Sequence, residues 1–232
     1  MGDFDIARFL TWYIALIVAL VFHEAAHAFV AKLGGDLTAY ESGQVTLNPV
    51  PHMQREPFGT ILLPILSFAY MGWPLGFAHA PYNPHWADAH PKRAAAMSFA
   101  GPGANLLLTV LLFGIMWLGL STDYFELPLG GMSLERLVVA RGGATEGFGY
   151  AIARIISVLF SMNLILGIFN LIPLPPLDGA GIVEGLVPPL AGVYRMMREY
   201  PVWQFVGMIA AWKIAPSVIW PAFTFATDLL AR

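Results

Sequence analysis

The sequence predicts an all-α polytopic membrane protein: a helical bundle of about four or five transmembrane segments with a small interfacial or re-entrant β element. Two observations predict it. Only 12% of the 232 residues are charged, against about 25% in ordinary soluble domains, and 57% are hydrophobic, against about 45–50%. So few charges cannot cover a soluble domain of this length, and lipid is the solvent that fits. The uncharged residues also fall into five runs. Each is long enough to cross roughly 30 Å of hydrocarbon, which takes about 20 helical residues.

The same composition excludes other classes. Disorder needs low hydrophobicity and high charge. A nucleic-acid binder needs a basic face, and the net charge is −3, so no nucleic-acid partner is expected. With zero Cys there is no disulfide framework, cysteine nucleophile or thiolate zinc site. Any metal must be held by His, Asp or Glu.

The first run, residues 9–33, is apolar apart from His23, Glu24, His27 and Lys32. Residues 1–9 hold two Asp and one Arg, the wrong charge balance for a signal peptide, and no small-x-small cleavage site follows. Gly2 is not a myristoylation site, because Ile6 stands where Ser or Thr is needed. Gly34-Gly35 ends the helix. Tyr40 to Pro49 alternates roughly every second residue, with β-branched residues and a Pro stop, and predicts a strand. Exposed strands are not tolerated in lipid, so this one belongs at the interface or inside the protein.

Residues 57–84 carry no acidic or basic residue except His79, and Pro64, Gly72, Pro74 and Gly76 interrupt them. Residues 94–120 and 155–177 have no charge, and 201–227 have only Lys213. The connection 121–149 carries Asp123, Glu126, Glu135 and Glu146. There is no internal repeat and no separate soluble unit, so residues 1–232 read as one membrane-embedded domain, with a core at about 8–183 and a C-terminal helix at about 201–228.

Chemistry concentrates in His23-Glu24-Ala25-Ala26-His27, an H-E-x-x-H in an apolar helix. The i, i+4 spacing puts both imidazoles on one face, close enough to share a metal. Glu24, beside the first His, is the natural general base for a water activated at that metal. The bland alternative is two histidines hydrogen-bonded to neighbouring helices. Three ionisable groups within five residues of a membrane helix are costly, which favours a functional site. The run 155–177 ends in Asn170-Leu171-Ile172-Pro173-Leu174-Pro175-Pro176-Leu177-Asp178-Gly179. Three prolines in four residues cannot continue a helix, and opened backbone at membrane depth needs surrounding protein or water. Asp178 follows directly and suits both a helix N-cap and a third metal ligand.

These two motifs, in order and in membrane segments, resemble the site-2 protease family of intramembrane zinc metalloproteases. So do Ser42-Gly43-Gln44-Val45-Thr46-Leu47-Asn48-Pro49 with His52 and Gly59-Thr60, the segment Ala78-His79-Ala80-Pro81-Tyr82-Asn83-Pro84, and Gly101-Pro102-Gly103-Ala104-Asn105. The resemblance spans about residues 11–183. It is to the compact form, without a PDZ insert or regulatory domain. It implies one Zn²⁺ per chain held by His23, His27 and Asp178, with Glu24 as base. It also implies that Asn170 holds substrate or supports the oxyanion; satisfying carbonyls freed by Pro173 and Pro175 is the plainer role. Asn105 reads as a structural bond across helices, with Gly101 and Gly103 allowing close approach. His52, His79, His85 and His90 are not expected to be ligands.

For the two His and Asp178 to meet, the first and fourth runs must be parallel, so one of the two runs between them does not cross. Residues 57–84 are the broken ones: 60–70 enter as a short helix and 71–84 return as extended chain. Lys32, Arg55, Lys92, Arg93, Arg195 and Arg198 then share one side and Arg8, Arg136, Arg141 and Arg232 the other. The larger group faces the cytoplasm, and the zinc opens toward it. With no targeting presequence, a prokaryotic plasma membrane is expected.

The function expected is intramembrane cleavage of membrane-protein segments in the bilayer, with extended substrate added to an edge near 44–47 or Ala80. A catalytically inactive metal-binding scaffold or chaperone is the alternative, but it has no use for Glu24. A transporter would show inverted repeats, and none is found.

Overall fold

The computed structural model describes residues 5–143 and 145–232; Gly2 and the acidic start at Asp3 lie outside them. Helix α1 runs Ile6–Gly34. It begins where the Asp5 carboxylate accepts from the Arg8 N–H at 2.9 Å. It ends at Gly35, whose φ of 97° is open to glycine at little cost. Ala15, Ala19, His23, His27 and Ala31 recur every four residues, and all are buried. That spacing makes one face. In lipid, helices are held by close packing of small residues rather than by a hydrophobic drive, so the alanines bring a neighbour close and the histidines sit between them.

The strand expected at 40–49 is absent. Thr38–Glu41 is one helical turn, α2, and Gly43 turns the chain with φ 73°. Pro49–Arg55 then forms α3, with Pro at its start and the Asn48 side chain accepting from Val50 N–H at 3.0 Å. The Asn-Pro helix start overrides the short alternation before it. Among the described residues the β element lies elsewhere: β1 (Phe125–Glu126) pairs antiparallel with β2 (Val139–Ala140).

The run 57–84 turns back on itself as expected. Its helix, α4 (Phe58–Met71), opens with a π-helical turn and ends at Gly72. Phe68 of α4 packs on Phe9 at 5.1 Å between ring centroids, near the start of α1. The chain then returns without helix over 73–83. Trp73 lies beside Trp12 (6.3 Å), Phe77 N–H donates to Gly59 O (3.1 Å), and Asn83 N–H reaches the Asp36 carboxylate (2.8 Å). This segment therefore runs alongside α1 and in its direction. Ten residues of extended chain cover about 33 Å, matching the stretch of α1 they follow.

After α5 (Pro84–Ala89) comes α6 (Pro91–Ser121), antiparallel to α1: Arg93 donates to Gly34 O (3.1 Å) at one end and Asn105 to Ala19 O (3.0 Å) midway. The connection folds inward, with Leu137 and Val138 buried among Met116, Phe125 and Phe160. Helix α7 (Gly147–Asn170) is parallel to α1, with Val158 and Met162 packed on Trp12 and Leu16. Past the proline break lie α8 (Asp178–Leu186), α9 (Pro188–Glu199) and α10 (Pro201–Leu230), which returns along α7. Helices α1, α6, α7 and α10 are long and apolar enough to span a membrane.

Candidate metal centre

The parallel run of α1 and α7 delivers the Asp178 carboxylate to the histidine face. Asp178 Oδ2 is 3.0 Å from His23 Nε2, and its Oδ1 is 3.3 Å from His27 Nε2. The two Nε2 atoms are 3.0 Å apart. Ligands about 2.05 Å from one tetrahedral ion lie roughly 3.3 Å from each other, so the triangle fits a single small cation. His23, His27 and Asp178 are the metal-capable cluster among the described residues.

Hydrogen bonds on the far side of each ring fix the tautomer. His23 Nδ1–H donates to Asn105 Oδ1 and His27 Nδ1–H to the Met97 carbonyl, both at 2.6 Å. Each Nε2 therefore presents a lone pair to the shared point. Asn105 is in turn held by its amide, which donates to Ala19 O (3.0 Å) and to Asn163 Oδ1 (2.9 Å). That leaves only its oxygen for His23. Gly101 completes the cradle: a Cβ there would overlap the Nε2 atoms of both histidines.

Glu24 is buried beside this centre and lines the same cavity, with no hydrogen bond among the described residues and His27 as its electrostatic neighbour. Asn170 also lines the cavity, but its amide donates to Leu166 O on its own helix (3.0 Å). The cavity holds about 1990 Å³, well above the 300–1,000 Å³ or so that small ligands need. Along one wall the N–H groups of Gly76, Ala78, Ala80 and Tyr82 have no partner among the described residues, while Leu75, Phe77 and Asn83 bond inward. His79 lies on this wall and pairs with Glu56 at 3.3 Å; His52 bonds the Thr46 carbonyl. Neither joins the metal cluster.

The sequence placed Asn105 correctly as a bond across helices but missed that its partner is a ligand-type histidine. It missed Asn163 altogether, although a fully buried amide in an uncharged run is a signal that could have been used.

The model of peptidase family M50 matches residues 11–213. The chain belongs to peptidase family M50. M50 is the site-2 protease family, so the resemblance carried by the two motifs holds, and with four apolar helices the chain is an integral membrane metallopeptidase. YwhC of Bacillus subtilis, named as a candidate zinc metalloprotease, is 33% identical over 221 residues, covering 94% of this chain and 88% of its own length. Rip2 of Mycolicibacterium smegmatis, named likewise, is 33% identical over 204 residues, 87% of this chain and 66% of Rip2. Rip2 of Mycobacterium tuberculosis is 28% identical over 173 residues, 75% of this chain and 56% of its own. No solved structure gives a significant match.

Proposed function

We propose that this M50 member is a zinc endopeptidase that cuts membrane-spanning segments within the bilayer, as one catalytic unit over residues 1–232. The observation that carries it is the convergence of two Nε2 lone pairs and the Asp178 carboxylate inside a membrane bundle, with Glu24, which makes no hydrogen bond among the described residues, beside them. His23, His27 and Asp178 would hold one zinc, and the relatives' names support that metal. When bound there, zinc supplies Lewis acidity to a substrate carbonyl and makes water a stronger acid.

Glu24 takes the proton of the attacking water and delivers it to the leaving amide nitrogen. Asn170 turns its amide from Leu166 O to the oxyanion. A helical substrate hides its carbonyls, so it must unwind, and the open N–H edge at 76–82 takes the unwound strand by β-addition. The edge expected at 44–47 plays no part, since no strand forms there. By the count of Lys and Arg, the C-terminal end of α1 faces the cytoplasm of a prokaryotic plasma membrane and the centre opens that way.

Glu24→Gln tests the assignment. The variant is expected to hold stoichiometric zinc and to cut no member of a panel of single-pass segments that the wild type cuts. Retained cleavage by Glu24→Gln would overturn the base; no cleavage by zinc-loaded wild type would favour the scaffold reading.

A further inference from the structure

The metal centre occupies only one part of the cavity. At the other end, near the start of α1, two arginines share one carboxylate and a third follows it in the chain. Arg8 Nε donates to Glu135 Oε1 at 2.5 Å, Arg154 Nη2 donates to Glu135 Oε2 at 3.3 Å, and Trp12 Nε1 donates to Glu135 Oε1 at 3.0 Å. Arg136, next to Glu135, lines the same cavity end and its guanidinium has no polar partner among the described residues. Both Nη groups of Arg8 are likewise without a polar partner there. Among the described residues, Arg8, Arg136 and Arg154 outnumber Asp5 and Glu135 at this end by one positive charge. A guanidinium with no polar partner among the described residues, on the wall of a substrate-sized cavity, is free to take an anionic group.

We propose that Arg8, Arg136 and Arg154 form a carboxylate-binding subsite that reads an acidic group on the substrate segment. This rests on the endopeptidase reading above. Arg8 and His23 are fifteen residues apart on one helix, about 22 Å. A substrate extended along the 73–83 wall advances about 3.3 Å per residue, so the acid sits about seven residues from the cut bond. Arginine suits the task because its planar fork takes a carboxylate through two parallel bonds. The carboxylate comes from an Asp or Glu side chain or from a chain terminus.

The test uses the full chain in detergent and single-pass segments carrying Asp, Asn or Lys seven residues from the cut bond, on the flank facing the arginines. Binding is read as Kd on Glu24→Gln and cleavage as kcat/KM on wild type. Asp is expected to exceed Asn by about five-fold, the upper end for a half-exposed ion pair, with Lys below Asn. Arg136→Glu, at an exposed position, is expected to reverse the order; Arg136→Gln is expected to shrink the ratio without reversing it. A segment ending at that position with a free or amidated terminus separates the two carboxylate sources, and preference for either supports the subsite. Equal Kd and equal rates for Asp, Asn and Lys overturn the subsite alone. Failure of zinc-loaded wild type to cut any segment overturns the endopeptidase reading and the subsite with it.

Discussion

Gly101→Ala is the smallest change that should empty the metal centre without touching a ligand. A Cβ at Gly101 would overlap His27 Nε2 and lie 2.6 Å from His23 Nε2 and 2.7 Å from His23 Cδ2. Ordinary contact begins at 3.4 Å, so the His23 ring must retreat by 0.8 Å and the His27 ring by more. Metal–nitrogen bonds tolerate about 0.2 Å. Retreat is also blocked from behind, because both Nδ1 atoms are held at 2.6 Å by Asn105 and Met97. Disturbing groups that orient a ligand costs about 10–100-fold in metal affinity, and displacing two ligands belongs at or beyond the upper figure. Zinc binding should therefore weaken at least 100-fold, about 2.8 kcal/mol.

The same change adds helix propensity worth up to about 1 kcal/mol against an overpacking cost of about 1–3 kcal/mol, so the fold should survive with a small loss. Gly103→Ala is the control. Its Cβ meets the Phe99 ring at 3.2 Å, and Phe99 is exposed and free to rotate. Propensity rises equally there while the histidines are untouched. Metal content, chelator competition and thermal unfolding of both variants give the answer. Stoichiometric zinc in Gly101→Ala, held within about three-fold of wild type, would refute the cradle and with it the placement of the two rings.

Two further outcomes are expected. Asn105→Leu strips the His23 Nδ1–H, the Ala19 carbonyl and Asn163 Oδ1 of their shared partner, which should cost about 1–3 kcal/mol in thermal unfolding and about 10–100-fold in zinc affinity by competition. Asp36, just past α1, is raised by burial but more strongly lowered by the Thr38 hydroxyl and the N–H groups of Asn83 and Thr38, so its folded pKa lies below the ordinary value. Its contribution is fully present above about pH 4 and is lost as pH falls through the folded value, and Asp36→Asn should flatten that acid limb of the melting temperature. An unchanged limb would remove Asp36 as its source.

The parts of this protein legible in sequence are those whose signals are local. Two imidazoles at i and i+4, and a carboxylate released by a triple-proline break, announce themselves in a few residues each. The turn-back of 57–84 was legible too, because Gly72 and Pro74 forbid one continuous helix and the parallel run of α1 and α7 demands one failed crossing. The segment 40–49 misled because β-branched alternation over a few residues is a weak signal. Asn48-Pro49, a capping residue before proline, is a stronger one for a helix start. The true strands, 125–126 and 139–140, are two residues each and too short to show any period. The arginine end was invisible because Arg8, Glu135 and Arg154 come from three elements far apart in sequence.

Helix α6 contributes none of the candidate ligands, yet the groups that hold both histidines lie on it. Met97 O holds His27, Asn105 holds His23, and Gly101 gives both rings room. The same stripe of α6 receives α8, where a Cβ on Gly181 would strike the Ser98 side chain and one on Gly185 the Pro91 carbonyl. Glycines four residues apart let two helices approach to backbone contact. Asp178 is the first residue of that same α8, so its carboxylate is set by how closely α8 lies on α6. The candidate ligands, from two distant stretches of chain, thus share one reference body.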